Sequence, residues 1–166
     1  MILSMALSGA IDASAQPEPI ALKSISYAQW QQKLASYPPD IVVVDMWATW
    51  CVSCIERFPK MVELYHRFHR QGVRFVSLCL DDREDQPALR RAEGFLRKQQ
   101  AVFENYLMDE NLMKAFEWLD LIGIPAVVIY DRKGKEAYRL TGDNPNKQFT
   151  DKDVENAILT LLKQAA

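Results

Sequence analysis

Cys51 and Cys54 flank Val52 and Ser53 in a C-x-x-C pair. Two thiols at that spacing can close a reversible disulfide or supply two ligands of a metal site. The segments on either side bear on which. The β-branched run Ile41-Val42-Val43-Val44, continuing through Asp45 and Met46, predicts a buried strand over 41–46. After the pair, Ile55, Phe58, Met61, Val62, Leu64, Tyr65 and Phe68 recur at helical spacing and predict a helix over 51–70. The pair therefore sits where a strand turns into a helix. A helix start carries unsatisfied N–H groups and the positive end of the macrodipole. A thiolate held there is stabilised and becomes a nucleophile near neutral pH. Cys51 is the candidate nucleophile, able to attack a disulfide and form a mixed disulfide. Cys54, one turn on, is the candidate resolving thiol.

The metal alternative rests on His66 and His69, which with the cysteines superficially copy a two-Cys, two-His finger. On one continuous helix rising ~1.5 Å per residue the two pairs lie roughly 18 Å apart, too far to share one ion. No metal is assigned, and both histidines are read as surface residues of the last turns. Asp45 interrupts an otherwise apolar strand. Burial would raise its pKa and suit it to take a proton from Cys54 near neutrality. The plainer reading is a strand-end carboxylate bonded to backbone. A second unusual position is Ile124-Pro125, just before the apolar run 126–130. A proline cannot donate to a strand ladder, so it is read as a fixed turn that can take a cis bond.

These residues together resemble the thioredoxin superfamily: Asp45, Trp47 and Trp50 leading into Cys51 and Cys54, then Pro59, Ile124-Pro125, Gly134 and Gly142. The spacing from Cys54 to Pro59 is that of thioredoxin itself. The resemblance runs from Ile41 to the C-terminus. The Trp47-Ala48-Thr49-Trp50-Cys51 wording and Leu80-Asp81-Asp82 look like the TlpA/ResA-like branch. So does the extra sequence between Leu80 and Ile124. The resemblance implies an α/β thioredoxin fold, a central mixed sheet flanked by helices, with an added helix and strand before the proline turn. It implies that Asp45 is the buried aspartate behind the disulfide and that Pro125 packs beside the cysteine pair. Ile124 would then offer its backbone to an extended substrate segment, with Trp47 and Trp50 lining the site; the plainer reading of the two tryptophans is core aromatics. It further implies a protein-disulfide oxidoreductase, a reductase of the cell envelope. Such a protein needs no cofactor beyond the redox-active disulfide Cys51–Cys54. Its partners would be protein thiol and disulfide substrates and an upstream thiol reductant. Val52-Ser53 departs from the Gly-Pro of thioredoxin, and the histidine of many oxidases is missing, so the direction of exchange is a matter for measurement. Two rival classes fit these residues less well. A non-catalytic thioredoxin-fold interaction module would have no need of both cysteines, Asp45 and Ile124-Pro125 together. A peroxiredoxin-type peroxidase would need a proline upstream of Thr49, which is not there.

At 166 residues the chain reads as one domain. A net charge of −2 gives no electrostatic reason to expect nucleic acid. No basic block points to a membrane surface. Residues 1–11 are apolar and end near Ala13-Ser14-Ala15, which resembles the end of a secretory signal peptide although no basic residue precedes it. The apolar stretch is too short to span a bilayer. Residues 1–23 are read as signal remnant and linker, and 24–166 as a thioredoxin-like domain, exported and monomeric. Cys79, the odd cysteine, lies in the apolar strand-like run 73–80 and is read as a buried thiol rather than a third redox cysteine.

The remaining elements follow from periodicity and caps. Ser24 or Ser26 opens a helix carrying Tyr27, Trp30 and Leu34, ended by Pro38-Pro39. Gln71-Gly72 closes the helix after the cysteines. Helices are expected over 87–99 and 110–119, and strands over 73–80, 102–107, 126–130 and 136–140. The last two strands are joined by an Asp131–Gly134 turn. A Thr150…Asp153 capping box starts the final helix.

Overall fold

The computed structural model describes residues 19–142 and 148–164. The apolar N-terminal segment and its Ala13-Ser14-Ala15 pattern lie outside the described residues. Along the described chain run β1 (Lys23–Ile25), α1 (Tyr27–Ala35), β2 (Ile41–Trp47), α2 (Val52–Phe68), β3 (Val73–Cys79) and α3 (Gln86–Lys98). They are followed by β4 (Glu104–Met108), α4 (Leu112–Trp118), β5 (Ala126–Tyr130), β6 (Glu136–Thr141) and α5 (Asp151–Gln164). The strands form one mixed sheet in the order β1-β4-β3-β2-β5-β6. β1, β4, β3 and β2 are mutually parallel, whereas β5 and β6 pair antiparallel.

Side-chain alternation along β2 divides the core. Val42, Val44 and Met46 point to the face covered by Trp30 and Leu34 of α1 and Ala115 of α4. Ile41 and Val43 point to the other face, against Met61, Leu64 and Phe68 of α2 and Val154, Ala157 and Ile158 of α5. Trp47 continues that second face under α2 and α3, beside Phe58, Ala92 and Leu96. Asp45, between Val43 and Trp47, therefore points at α2 and α5. All seven residues of β2 are buried, as expected for a strand in the middle of a doubly covered sheet.

Several boundaries differ from the sequence reading. The stretch read as linker up to Lys23 ends in a strand: β1 pairs with β4 through Lys23↔Tyr106 and Ile25↔Met108. Three residues with an exposed Lys23 and Ser24 carry no periodicity, and only the free edge of β4 makes them a strand. Ile20 and Leu22 also pack on the core beneath the cysteines. Ser26, not Ser24, caps α1, in a reciprocal box with Gln29. The strand expected over 102–107 begins at Glu104, because Val102 is exposed and outside the ladder. α4 starts only after Asn111, whose side chain accepts from the Met113 N–H. The box at the head of α5 forms as expected: Thr150 N–H donates to Asp153 Oδ2 at 2.7 Å, and Asp153 N–H to Thr150 Oγ1 at 3.3 Å.

Candidate active site

Cys51 occupies the N-cap of α2, with extended backbone (φ −91°, ψ 96°). Its sulfur accepts from the Cys54 N–H at 3.3 Å. That is the place an oxygen of Ser, Thr or Asp takes in an ordinary cap, satisfying one of the orphan donors of the first turn. Cys51 and Cys54 are joined by a disulfide. Cys51 is 7% exposed and Cys54 1%, so Cys51 is the more accessible residue of the pair. Ser53 is exposed, its hydroxyl 3.7 Å from the Cys51 sulfur. Further along, α2 is continuous from Val52 to Phe68 through Pro59, which places His66 near its far end. His66 is exposed, and His69 stacks on Tyr65 with ring centroids 4.6 Å apart. Among the described residues no group of three or more His, Cys, Asp or Glu side chains is placed to hold a metal ion.

Asp45 is 3% exposed. Its carboxyl is raised to about 6 on balance: burial pushes it up, Arg57 pulls it down, and Asp151 adds a smaller upward push. Arg57 was not singled out from the sequence. It lies three residues after Cys54, on the helix face that also carries Phe58 and Met61 toward the sheet. Its Nη1 stands 3.5 Å from Asp45 Oδ1 and its Nη2 3.7 Å from Asp151 Oδ1. An arginine among the apolar positions of an amphipathic helix was the available signal.

The antiparallel pairing of β2 with β5 sets Met46 opposite Ala126. The residues just before Ala126 therefore come to the end of β2, where the cysteine loop begins. The Ile124–Pro125 bond is cis. Ile124 packs on the apolar cluster that contains both cysteines. Gly142 N–H donates to Pro125 O at 2.9 Å, and a Cβ at Gly142 would stand 3.0 Å from Pro125 Cδ. Trp50 is 54% exposed beside the pair. Trp47 corrects the site-lining reading and takes the plainer one, a core aromatic. It does not line an open site but is fully buried, its ring 5.2 Å from that of Phe58 and 5.3 Å from that of Phe95. The alternation that aims it inward is clear in sequence, but its cover comes from α3, forty residues on.

Asp81, just beyond the end of β3, is buried. Its carboxylate accepts from Thr49 N–H at 3.1 and 3.2 Å and from Thr49 Oγ1 at 2.9 Å. The Cys79 thiol donates to the same carboxylate at 3.3 Å. The loop entering Cys51 is thereby held to the end of β3. Burial, and then the Asp81 charge, push the Cys79 thiol up. Cys79 is thus a buried, protonated donor, as its apolar setting suggested.

The family model described as Redoxin matches residues 19–158. Among curated proteins the chain is similar to the thiol-disulfide oxidoreductase ResA of Bacillus cereus, 24% identical over 108 residues covering 65% of this chain and 58% of that protein. It is also similar to the thiol:disulfide interchange protein DsbE of Haemophilus influenzae, 28% identical over 66% of this chain and 55% of that protein. The chain thus spans less than two thirds of the length of these curated relatives. Among solved structures, a DsbE-like thiol:disulfide interchange protein from Chlorobium tepidum superposes with a TM-score of 0.62 at 25% identity, covering 78% of this chain and 84% of that one.

Proposed function

This chain belongs to the Redoxin family, and from that premise we propose that it is a thiol–disulfide oxidoreductase acting on protein disulfides through Cys51 and Cys54. One observation carries the reading. The Cys51 sulfur is the N-cap of α2, bonded to the Cys54 N–H, where backbone donors and helix dipole favour a thiolate. In the reduced protein the Cys51 thiolate attacks one sulfur of a client disulfide. The other client sulfur leaves as a thiolate, and a mixed disulfide forms. Cys54 then gives its proton to Asp45 and attacks the Cys51 sulfur. The client sulfur departs and takes up a proton, and two electrons have passed from the cysteine pair to the client. Asp45 suits this task because a carboxyl titrating near 6 exchanges its proton readily close to neutrality. Trp50, Ile124 and Pro125 form the contact surface for the client segment, with Ile124 offering backbone groups.

The names of the similar proteins, a thiol-disulfide oxidoreductase and a thiol:disulfide interchange protein, support disulfide exchange; within that reading we place the protein as a reductase of the cell envelope. The export signal remnant and its linker would then lie before Ile20, and the working domain would take in Ile20, Leu22 and β1. No helix among the described residues is long and apolar enough to cross a membrane. The reductant is an upstream dithiol protein, and the disulfide itself is the redox group.

The test is insulin reduction with trapping. Wild type supplied with a dithiol should reduce insulin, and Cys51→Ser should be inactive. Cys54→Ser should accumulate a mixed disulfide visible on a non-reducing gel. Full activity in Cys51→Ser removes the proposed nucleophile.

A further inference from the structure

We propose that Arg57 is a positioning residue for the resolving step: its buried guanidinium holds the Asp45 carboxylate as a ready proton acceptor beneath the cysteine pair. The inference rests on the proposed exchange through Cys51 and Cys54. The geometry starts on α2. Arg57 follows Cys54 by three residues, so the two side chains are neighbours on one helix face. The Arg57 side chain is only 11% exposed. It is clamped on three sides: Asp45 Oδ1 at 3.5 Å, Asp151 Oδ1 at 3.7 Å, and the Phe149 ring, whose centroid lies 4.1 Å from the guanidinium carbon. A guanidinium over an aromatic face, with carboxylates at two edges, has little freedom to turn away.

What the clamp leaves free is as informative. Among the described residues, no hydrogen-bond partner exists for Asp45 Oδ2 or for either terminal nitrogen of Arg57. Buried polar atoms are ordinarily bonded. Here one carboxylate oxygen faces the cation at ion-pair distance, and the other is uncommitted. The neighbours do not compete for it. Ser77, the register partner of Asp45 on β3, donates its hydroxyl to Asn105 Oδ1 at 2.7 Å. Val127 stands opposite on β5. The charged groups acting on Asp45 are therefore Arg57 from α2 and Asp151 from the head of α5. β3 and β5 present neutral groups. The ion pair is too loose to quench the carboxylate, yet close enough to offset part of the cost of its burial.

During resolution the Cys54 S–H bond breaks and the proton passes to Asp45. The Cys54 thiolate then forms the bond to Cys51 as the Cys51–client bond breaks. The client thiolate leaves and is protonated by Asp45 or solvent. Arg57 neither gives nor takes a proton. It stabilises the carboxylate that must be anionic at the start, and Asp151 works against that by adding a second negative charge.

The two groups therefore have opposite signs, which a purely structural role would not give. The experiment measures single-turnover release of a chromogenic aryl thiolate from its mixed disulfide with Cys51, across pH 5–9, in parallel with the carbon-13 NMR titration of Asp45 in the oxidised protein. Arg57→Met should move both profiles to higher pH by about one unit, slowing release about tenfold at the foot of the profile. Asp151→Asn should move both to lower pH by less, because that carboxylate is partly exposed. Arg57→Lys should recover part of the wild-type profile, a point charge standing in for the fork. In an Asp45→Asn background the Arg57 effect on release should vanish. Coincident profiles for wild type and Arg57→Met overturn the inference, as do shifts of the same sign for Arg57→Met and Asp151→Asn. So does an Arg57 effect that persists without Asp45. A wild-type protein that releases no thiolate at any pH instead sinks the proposed exchange, a different and separable result.

Discussion

Asp45 should make the stability of the oxidised protein depend on pH in a direction opposite to that of an ordinary ion-paired carboxylate. Its carboxyl titrates at about 6 in the folded chain against 3.8 when hydrated, chiefly because burial outweighs the pull of Arg57. Below 3.8 both states hold the proton and folding suffers no penalty from this group. Between the two values the folded chain keeps a proton that the unfolded chain has released, so stability falls as pH rises. Above about 6 both are ionised and the full penalty is present. A gap of that width is worth about 3 kcal/mol at about 1.4 kcal/mol per pH unit, a large share of the stability of an ordinary domain. Asp45→Asn keeps the shape and removes the titration. Denaturant unfolding of oxidised wild type and Asp45→Asn, from pH 3.5 to 8, should give curves whose difference bends by about 3 kcal/mol. Most of the bend should come between pH 4 and 6, with wild type losing ground as pH rises. Removing Asp45 also leaves Arg57 with one carboxylate partner, which offsets the whole Asp45→Asn curve. The readout is therefore the change in the difference with pH. Parallel curves, or a wild type that gains stability through this window, would refute the reasoning: the Arg57 attraction would then equal or exceed the cost of burial.

Two further substitutions test the supports of the cysteine loop. Asp81→Ala strips the acceptor from Thr49 N–H, Thr49 Oγ1–H and the Cys79 thiol at once. It should cost about 1–3 kcal/mol for the buried Cys79 donor, and less for the half-buried Thr49 groups that water can reach, and lower the Tm in thermal unfolding; a Tm equal to wild type would show that the clamp contributes nothing. Gly142→Ala places a methyl 3.0 Å from Pro125 Cδ and 3.2 Å from Pro125 O. Backbone is hard to displace, so overpacking of about 1–3 kcal/mol is expected, with slower insulin reduction. Unchanged unfolding and rate would mean that the β5–β6 contact yields freely.

Much of the site was legible because it is written in short-range pattern. The β-branched run before Cys51 and the helical spacing after Cys54 are local signals, and their junction defines the N-cap on which the Cys51 sulfur sits. The odd proline before 126–130 needed only the rule that a proline cannot join a ladder interior. Even the face of Asp45 follows from alternation along β2. Trp47 obeys the same alternation, but whether its inward face meets solvent or a second layer depends on α3, which the residues around Trp47 do not encode.

The sequence by itself determined the C-x-x-C at a strand–helix junction, the βαβ order and the apolar strand containing one carboxylate, because each depends on residues within a turn or a pleat of one another. Only the tertiary structure decided which groups surround that chemistry. Arg57 meets Asp45 because α2 folds back over β2, and Asp151 joins them because α5 packs on the same face. Asp81 reaches Thr49 across 32 positions of chain because β2 and β3 run side by side in parallel register. β1 exists because β4 offers a free edge. Charges and hydrogen bonds act over a few ångströms of space, and the packing of distant segments sets those distances.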